Sequence, residues 1–117
     1  MSSDPPEEIR LKDHGHVLEL EYGPHEIYRL SAEYLRVESP SAEVKGHGPG
    51  QEVTVPGKKN VRILRLAPVG HYALRIVFDD RHDTGLYTWG YLRELGRDEK
   101  TRWMKYLEKL AAEKLTR

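Results

Sequence analysis

Alternation of apolar and polar side chains is sharpest in two stretches. Val17-Leu-Glu-Leu-Glu-Tyr22 puts Leu18, Leu20 and Tyr22 on one face with Glu19 and Glu21 opposite, and Tyr72 to Phe78 does the same with Leu74, Ile76 and Phe78. A period of two predicts half-buried strands. Each has a return partner: Gly23-Pro24 turns into Glu26–Leu30, and Asp79-Asp-Arg-His82 turns into Leu86-Tyr87. Weaker strands are read at Ile9–Lys12, closed by the turn Asp13-His-Gly15, and at Val61–Leu66. Ser31 is placed to N-cap a short helix over Ala32–Val37, and Pro40 keeps Ser39 out of it. A second short helix runs from Trp89 to Leu95 and stops at Gly96. The last helix, Asp98 to Leu115, gathers Trp103, Tyr106, Leu107, Leu110, Ala111 and Leu115 on one arc, with Lys105, Lys109 and Glu113 opposite. Lys109–Glu113 and Glu113–Arg117 are spaced for weak surface pairing.

The two hairpins and their helices resemble each other. His25, Glu26, Ser31, Tyr34, Leu35 and Arg36 match His82, Asp83, Thr88, Tyr91, Leu92 and Arg93 at an offset of 57. Upstream, Leu18, Leu20 and Tyr22 match Leu74, Ile76 and Phe78 at an offset of 56, so the second turn is one residue longer. The expected fold is α+β: a mainly antiparallel sheet built from two hairpin–short-helix units, with a C-terminal amphipathic helix. Leu35 and Leu92 are expected in a shared core, with Arg36 and Arg93 turned to solvent or capping carbonyls. Residues 1–8 read as a polar, disordered lead, residues 9–96 as the domain and residues 97–117 as the final helix.

Composition narrows the function. The 117 residues are 38% apolar and 32% charged, a size for one domain with a lean core. Lys+Arg and Asp+Glu are 19 each, so the chain lacks the basic excess of a nucleic-acid binder. It has no cysteine, which removes disulfides, thiolate nucleophiles and cysteine-held zinc or iron–sulfur centres. No apolar run approaches the roughly 18 residues that span a bilayer, and Met1–Arg10 has no signal-like apolar stretch, so a cytoplasmic domain is expected.

Several motifs have plain structural readings. Asp83-Thr-Gly85 spells an aspartic-protease half-site, but that chemistry needs two carboxylates sharing a proton, and Arg81-His82 precedes it. Gly46-His-Gly-Pro-Gly50 lacks the Gly-Lys-Ser/Thr ending of a phosphate loop and opens no helix. The six histidines show no metal-ligand spacing on a helix, although His47, His71 and His82 remain a set that folding has to bring together before it can bind metal. Lys58-Lys59, Arg62 and Arg65 form a local basic group. Residues 97–117 hold seven basic and four acidic residues, a solvated face or a contact for an acidic partner.

Ala32-Glu-Tyr-Leu-Arg-Val37, Ser39-Pro-Ser-Ala-Glu43 and Gly46-His-Gly48 carry a further signal, as do Pro68–Asp80, His82-Asp-Thr-Gly-Leu-Tyr-Thr-Trp89 and Tyr91-Leu92. Together they resemble DUF971, the gamma-butyrobetaine hydroxylase-like N-terminal domain, over Ile9 to Gly96. In the wider family the domain precedes the catalytic domain of iron- and 2-oxoglutarate-dependent hydroxylases, is fused to P-loop ATPases of iron–sulfur cluster transfer, or stands alone. The hydroxylase versions hold a structural zinc with three cysteines and a histidine. The corresponding positions here are Ser39, Ser41, Val44 and His82, so the resemblance implies that this chain lacks that zinc site. It carries over no catalytic residue and no cofactor. The expectation is a non-catalytic accessory or protein-interaction domain, contacting its partner around Arg36, His47, His82 and Trp89. The alternative is a metal-binding or iron–sulfur maturation helper using His47, His71 and His82. An enzyme using Asp79, Asp80, His82 and Asp83 ranks behind both, because polar residues crowded on a turn are usually solvated.

Overall fold

A computed structural model describes residues 4–46, 50 and 52–117. Strands β1 (Glu8–Lys12), β2 (Val17–Gly23) and β3 (Glu26–Ser31) form one antiparallel sheet in the order β1-β2-β3. Strands β4 (Ile63–Val69), β5 (Ala73–Phe78) and β6 (Leu86–Thr88) form a second in the order β4-β5-β6. Each sheet runs straight into a short helix, α1 (Ala32–Val37) after the first and α3 (Trp89–Arg97) after the second. A one-turn helix, α2 (Ala42–Lys45), follows α1, and α4 (Glu99–Ala112) ends the fold. The α+β class and the two-unit plan are those the sequence predicts, but each unit owns its own three-stranded sheet.

The two helix starts are built alike. Ser31 and Thr88 lie in extended backbone, and their hydroxyls accept from Tyr34 N–H (3.0 Å) and Tyr91 N–H (3.1 Å). Such caps satisfy a donor the helix cannot reach by itself. The tyrosines then cross between units: Tyr34 Oη donates to the Leu95 carbonyl (2.7 Å) and Tyr91 Oη to the Glu38 carbonyl (2.5 Å). Leu18, Leu20, Leu30 and Leu35 of the first unit share one core with Leu74, Ile76, Phe78 and Leu92 of the second. Neither sheet alone offers enough apolar surface, so each covers the other. Gly15, at φ 91°, allows the turn after β1 to touch the Ile63 backbone, where any Cβ would collide.

Four expectations are corrected. Glu7 and Glu8, assigned to the lead, already join the sheet, Glu7 N–H donating to the Glu21 carbonyl (2.7 Å). The strand expected at Val61–Leu66 starts at Ile63, since the Val61 amide is taken up in a turn to the Lys58 carbonyl, and it runs to Val69 with Leu64 as an extra residue that breaks the alternation. On α4 the buried stripe narrows to Tyr106 and Leu110, which pack with Val37 and Val55; Trp103 is half-buried between this cluster and the main core, and Leu107 stays exposed. Glu113 bonds Thr54 Oγ1 (2.5 Å) and Arg117 chelates the buried Glu33 (2.7 and 3.0 Å), replacing the expected pairing along the helix.

Candidate functional site

The densest polar cluster lies where the loop after α1 meets the β5–β6 turn. Pro40 ends the helical run, and Ser39 and Ser41 face the turn that carries Asp80, His82 and Thr84. His82 Nε2 bonds Ser39 Oγ (2.8 Å) and Nδ1 bonds Glu43 Oε2 (2.9 Å), a hydroxyl–imidazole–carboxylate chain. Ser41 Oγ and Thr84 Oγ1 lie 2.7 Å apart, and the Ser41 and Glu43 amides donate to Ser39 Oγ and Ser41 Oγ. Beside them Asp80 accepts from Arg36 Nε (2.7 Å), Lys58 Nζ (2.7 Å) and the His82 amide (3.1 Å). Burial works to raise the Asp80 carboxyl, but Lys58, Arg36 and the His82 amide outweigh it and hold it down at about 2.

The geometry of a catalytic triad is therefore present in letters, but its access is closed. Ser39 is 0% exposed. A Cβ at Gly85 would stand 2.6 Å from Ser39 Oγ and 3.0 Å from the Tyr87 ring, so bare backbone seals the hydroxyl on that side. A nucleophile needs room for a substrate carbon about 3 Å away. Tyr87, fully buried and donating to the Leu35 carbonyl (2.5 Å), closes the neighbouring wall. What the chain of bonds accomplishes is a cross-link between two loops.

The profile of the gamma-butyrobetaine hydroxylase-like N-terminal family matches residues 9–93. The chain belongs to that family. Two proteins of known NMR solution structure are similar to it, one 46% identical over 97% of this chain and 90% of that one (TM-score 0.84). The other is 44% identical over 98% and 86% (TM-score 0.82). A DUF971-family protein of unknown function from Acidithiobacillus ferrooxidans ATCC 23270, known from a crystal structure, is 40% identical over 80% of this chain and 98% of that one (TM-score 0.64). No curated protein matches the chain.

The zinc positions implied by family resemblance meet at this cluster, yet their donors do not suit the metal. Ser39 and Ser41 offer neutral hydroxyls already bonded to His82 and Thr84, Val44 offers a hydrocarbon, and both nitrogens of His82 are engaged. Zinc is held by thiolates, imidazoles or carboxylates in tetrahedral array. Among the described residues, no group of three or more histidines, aspartates and glutamates is arranged to hold a metal.

The remaining candidates separate. Arg36 and His82 come together through Asp80, but both are buried, at 8% and 4% exposure. Trp89, 7% exposed, lies apart from them with its indole N–H on the His71 carbonyl (2.9 Å). His47 lies outside the described residues. The side-chain surface expected at Arg36, His82 and Trp89 is thus mostly interior: each is drawn in by a specific polar partner. His71 and His82 cap opposite ends of β5, a separation of roughly 20 Å for a six-residue strand, so they do not share a ligand sphere. Asp80 is not the solvated turn residue expected, its side chain being 17% exposed. Glu43 and Thr84 carried no warning in the sequence beyond their nearness to Ser41 and His82, since their partners are 39 and 43 residues away. A groove of about 650 Å³ between residues 52–55 and α4 mixes Lys105 and Lys109 with Glu52 and Asp98 and lies outside this network.

Proposed function

We propose that the chain is a non-catalytic accessory domain that works by binding another protein in the cytoplasm. The observation that supports this reading is the closure of the Ser39–His82–Glu43 chain: the residues best suited to chemistry are spent on holding loops together, with Ser39 wholly buried. A partner protein is favoured over nucleic acid because the charge is balanced, and among the described residues no helix is long and apolar enough to cross a membrane. The test is affinity capture by the intact chain from cells of its source, followed by reconstitution of the complex from two purified proteins. A binary complex competed by excess free domain is expected. Failure to recover any such complex, or hydrolysis of a p-nitrophenyl ester by the purified chain that is lost in S39A, overturns the reading.

A further inference from the structure

The outer faces of the two sheets occupy equivalent places and are finished in opposite ways. On the first sheet Glu19 stands at the centre, flanked across the strands by Arg10 and Arg29. It accepts from Arg10 (2.8 Å), Lys12 (3.2 Å) and Arg29 (2.7 Å), and the residue is 3% exposed beneath them. That face is electrostatically closed. The offset that aligns Leu18 and Leu20 with Leu74 and Ile76 puts Arg75 where Glu19 stands, and its cross-strand neighbours are Ala67 and Leu86 in place of the two arginines.

Arg75 is half-buried, Arg65 two positions along the same face is exposed, and neither has a carboxylate within salt-bridge distance among the described residues. Around them Val77 is half-buried, while Leu64 is 58% and Leu86 45% exposed. A cation held against apolar neighbours gains more from a carboxylate than one in open water, because the local dielectric is lower. The apolar rim supplies surface that a partner would cover.

We infer that this face, the outer side of β4–β5–β6, is the docking surface for an acidic segment of the partner protein. The segment's carboxylates pair with Arg75 and Arg65, and its apolar side chains cover Leu64, Val77 and Leu86. The inference rests on the reading of the chain as an interaction domain and adds the surface and the chemistry of its partner. A second copy of this chain is the poorer occupant, since the carboxylates of its first sheet are already engaged by its own cations. Two arginines are few for a phosphate backbone.

The experiment is an NMR titration of the 15N-labelled chain with a capped decapeptide alternating Glu and Val, compared with its Lys-for-Glu counterpart. Saturable shifts at Arg65, Arg75, Val77 and Leu86 with the acidic peptide alone are expected. The double variant R65E/R75E should keep the dispersion of a folded spectrum and bind at least tenfold more weakly. No saturable shift on this sheet, equal response to both peptides, an equal response to a single-stranded dT decamer, or shifts of these residues on simple concentration each overturn the proposal. Capture with the same double variant separates the two ideas. Retention of the partner by R65E/R75E removes the surface and leaves the interaction reading standing, whereas capture of nothing by the wild-type chain removes the interaction reading itself.

Discussion

The two units clasp each other twice, and the two clasps are the same device built in different surroundings. In one, Arg93 of α3 reaches Glu26 at the first hairpin turn (2.5 and 2.9 Å); in the other, Arg36 of α1 reaches Asp80 at the second (2.7 Å). Both carboxyls are held at about 2, Glu26 mainly by Arg93 and Tyr28, and Asp80 by Lys58, Arg36 and the His82 amide against the opposing effect of burial. The Glu26 clasp is about a quarter exposed, with Arg93 stacked over the Tyr22 ring at 4.6 Å. The Asp80 clasp is more deeply set, the Arg36 side chain 10% exposed, and Arg36 Nη1 is buried without a partner among the described residues. An exposed ion pair can be left to water, whereas a buried one obliges its neighbours to satisfy the remaining polar atoms. Lys58 Nζ and the His82 amide meet that need at Asp80, and the Ser39–His82–Glu43 and Ser41–Thr84 bonds fix the turn that carries the amide.

The largest effect expected from breaking this comparison is at Asp80. D80A leaves the buried Arg36 facing Lys58 with no counter-charge, and removal of one partner from a buried pair costs about 3–5 kcal/mol. Urea unfolding should show it as a lower midpoint with unchanged slope. A loss of only about 1 kcal/mol, the scale of a surface pair, would erase the distinction between the clasps. Acid is the next probe. A carboxyl with an ordinary value near 3.9 and a folded value of about 2 binds its proton more readily in the unfolded chain. Its contribution is therefore complete above about pH 5, and about 2 kcal/mol of it is lost as the pH falls through the folded value. The acid limb of the stability curve should flatten in D80N; an unchanged limb would move the effect to other carboxylates.

The legible parts of this fold are those governed by short-range pattern. Leu18/Leu20 and Leu74/Ile76 declare their strands by alternation, and Ser31 with the matched Thr88 marks both helix starts. The bulge at Leu64 and the single turn of α2 escape, because one disrupts periodicity and the other is too short to have any. Among site residues His82 was in view from its place on the turn, and Ser39, Ser41 and Val44 only through the family resemblance. The link from Arg36 to Asp80 spans 44 residues and follows from how the units cross, which no local spacing encodes. Burial of Glu19 on an outward strand face is hidden for the same reason: Arg10, Lys12 and Arg29 converge on it only after three strands pair.

Smaller effects sharpen the contrast from the open side. E26A frees Arg93, Arg97 and the Tyr28 hydroxyl where water reaches them, and should cost about 1–2 kcal/mol, slightly above the range of simple exposed pairs because the Arg93 fork is bidentate. A cost equal to that of D80A would show that the first clasp is as critical as the second.

The smallest expected effect is none at all, and it bears on the cluster beside Asp80. Domains folded around zinc draw much of their stability from the metal, so a chelator unfolds them. Here the loop after α1 is tied to the β5–β6 turn by Ser39, Ser41, Glu43, His82 and Thr84 without a thiolate among them. EDTA should leave the melting temperature of the purified chain unchanged, and elemental analysis should find no stoichiometric zinc. S39A should lower the melting temperature, because it strands one nitrogen of a histidine that is 4% exposed. A chelator-induced drop in the wild-type chain would assign the cross-link to a metal and make the hydrogen bonds secondary.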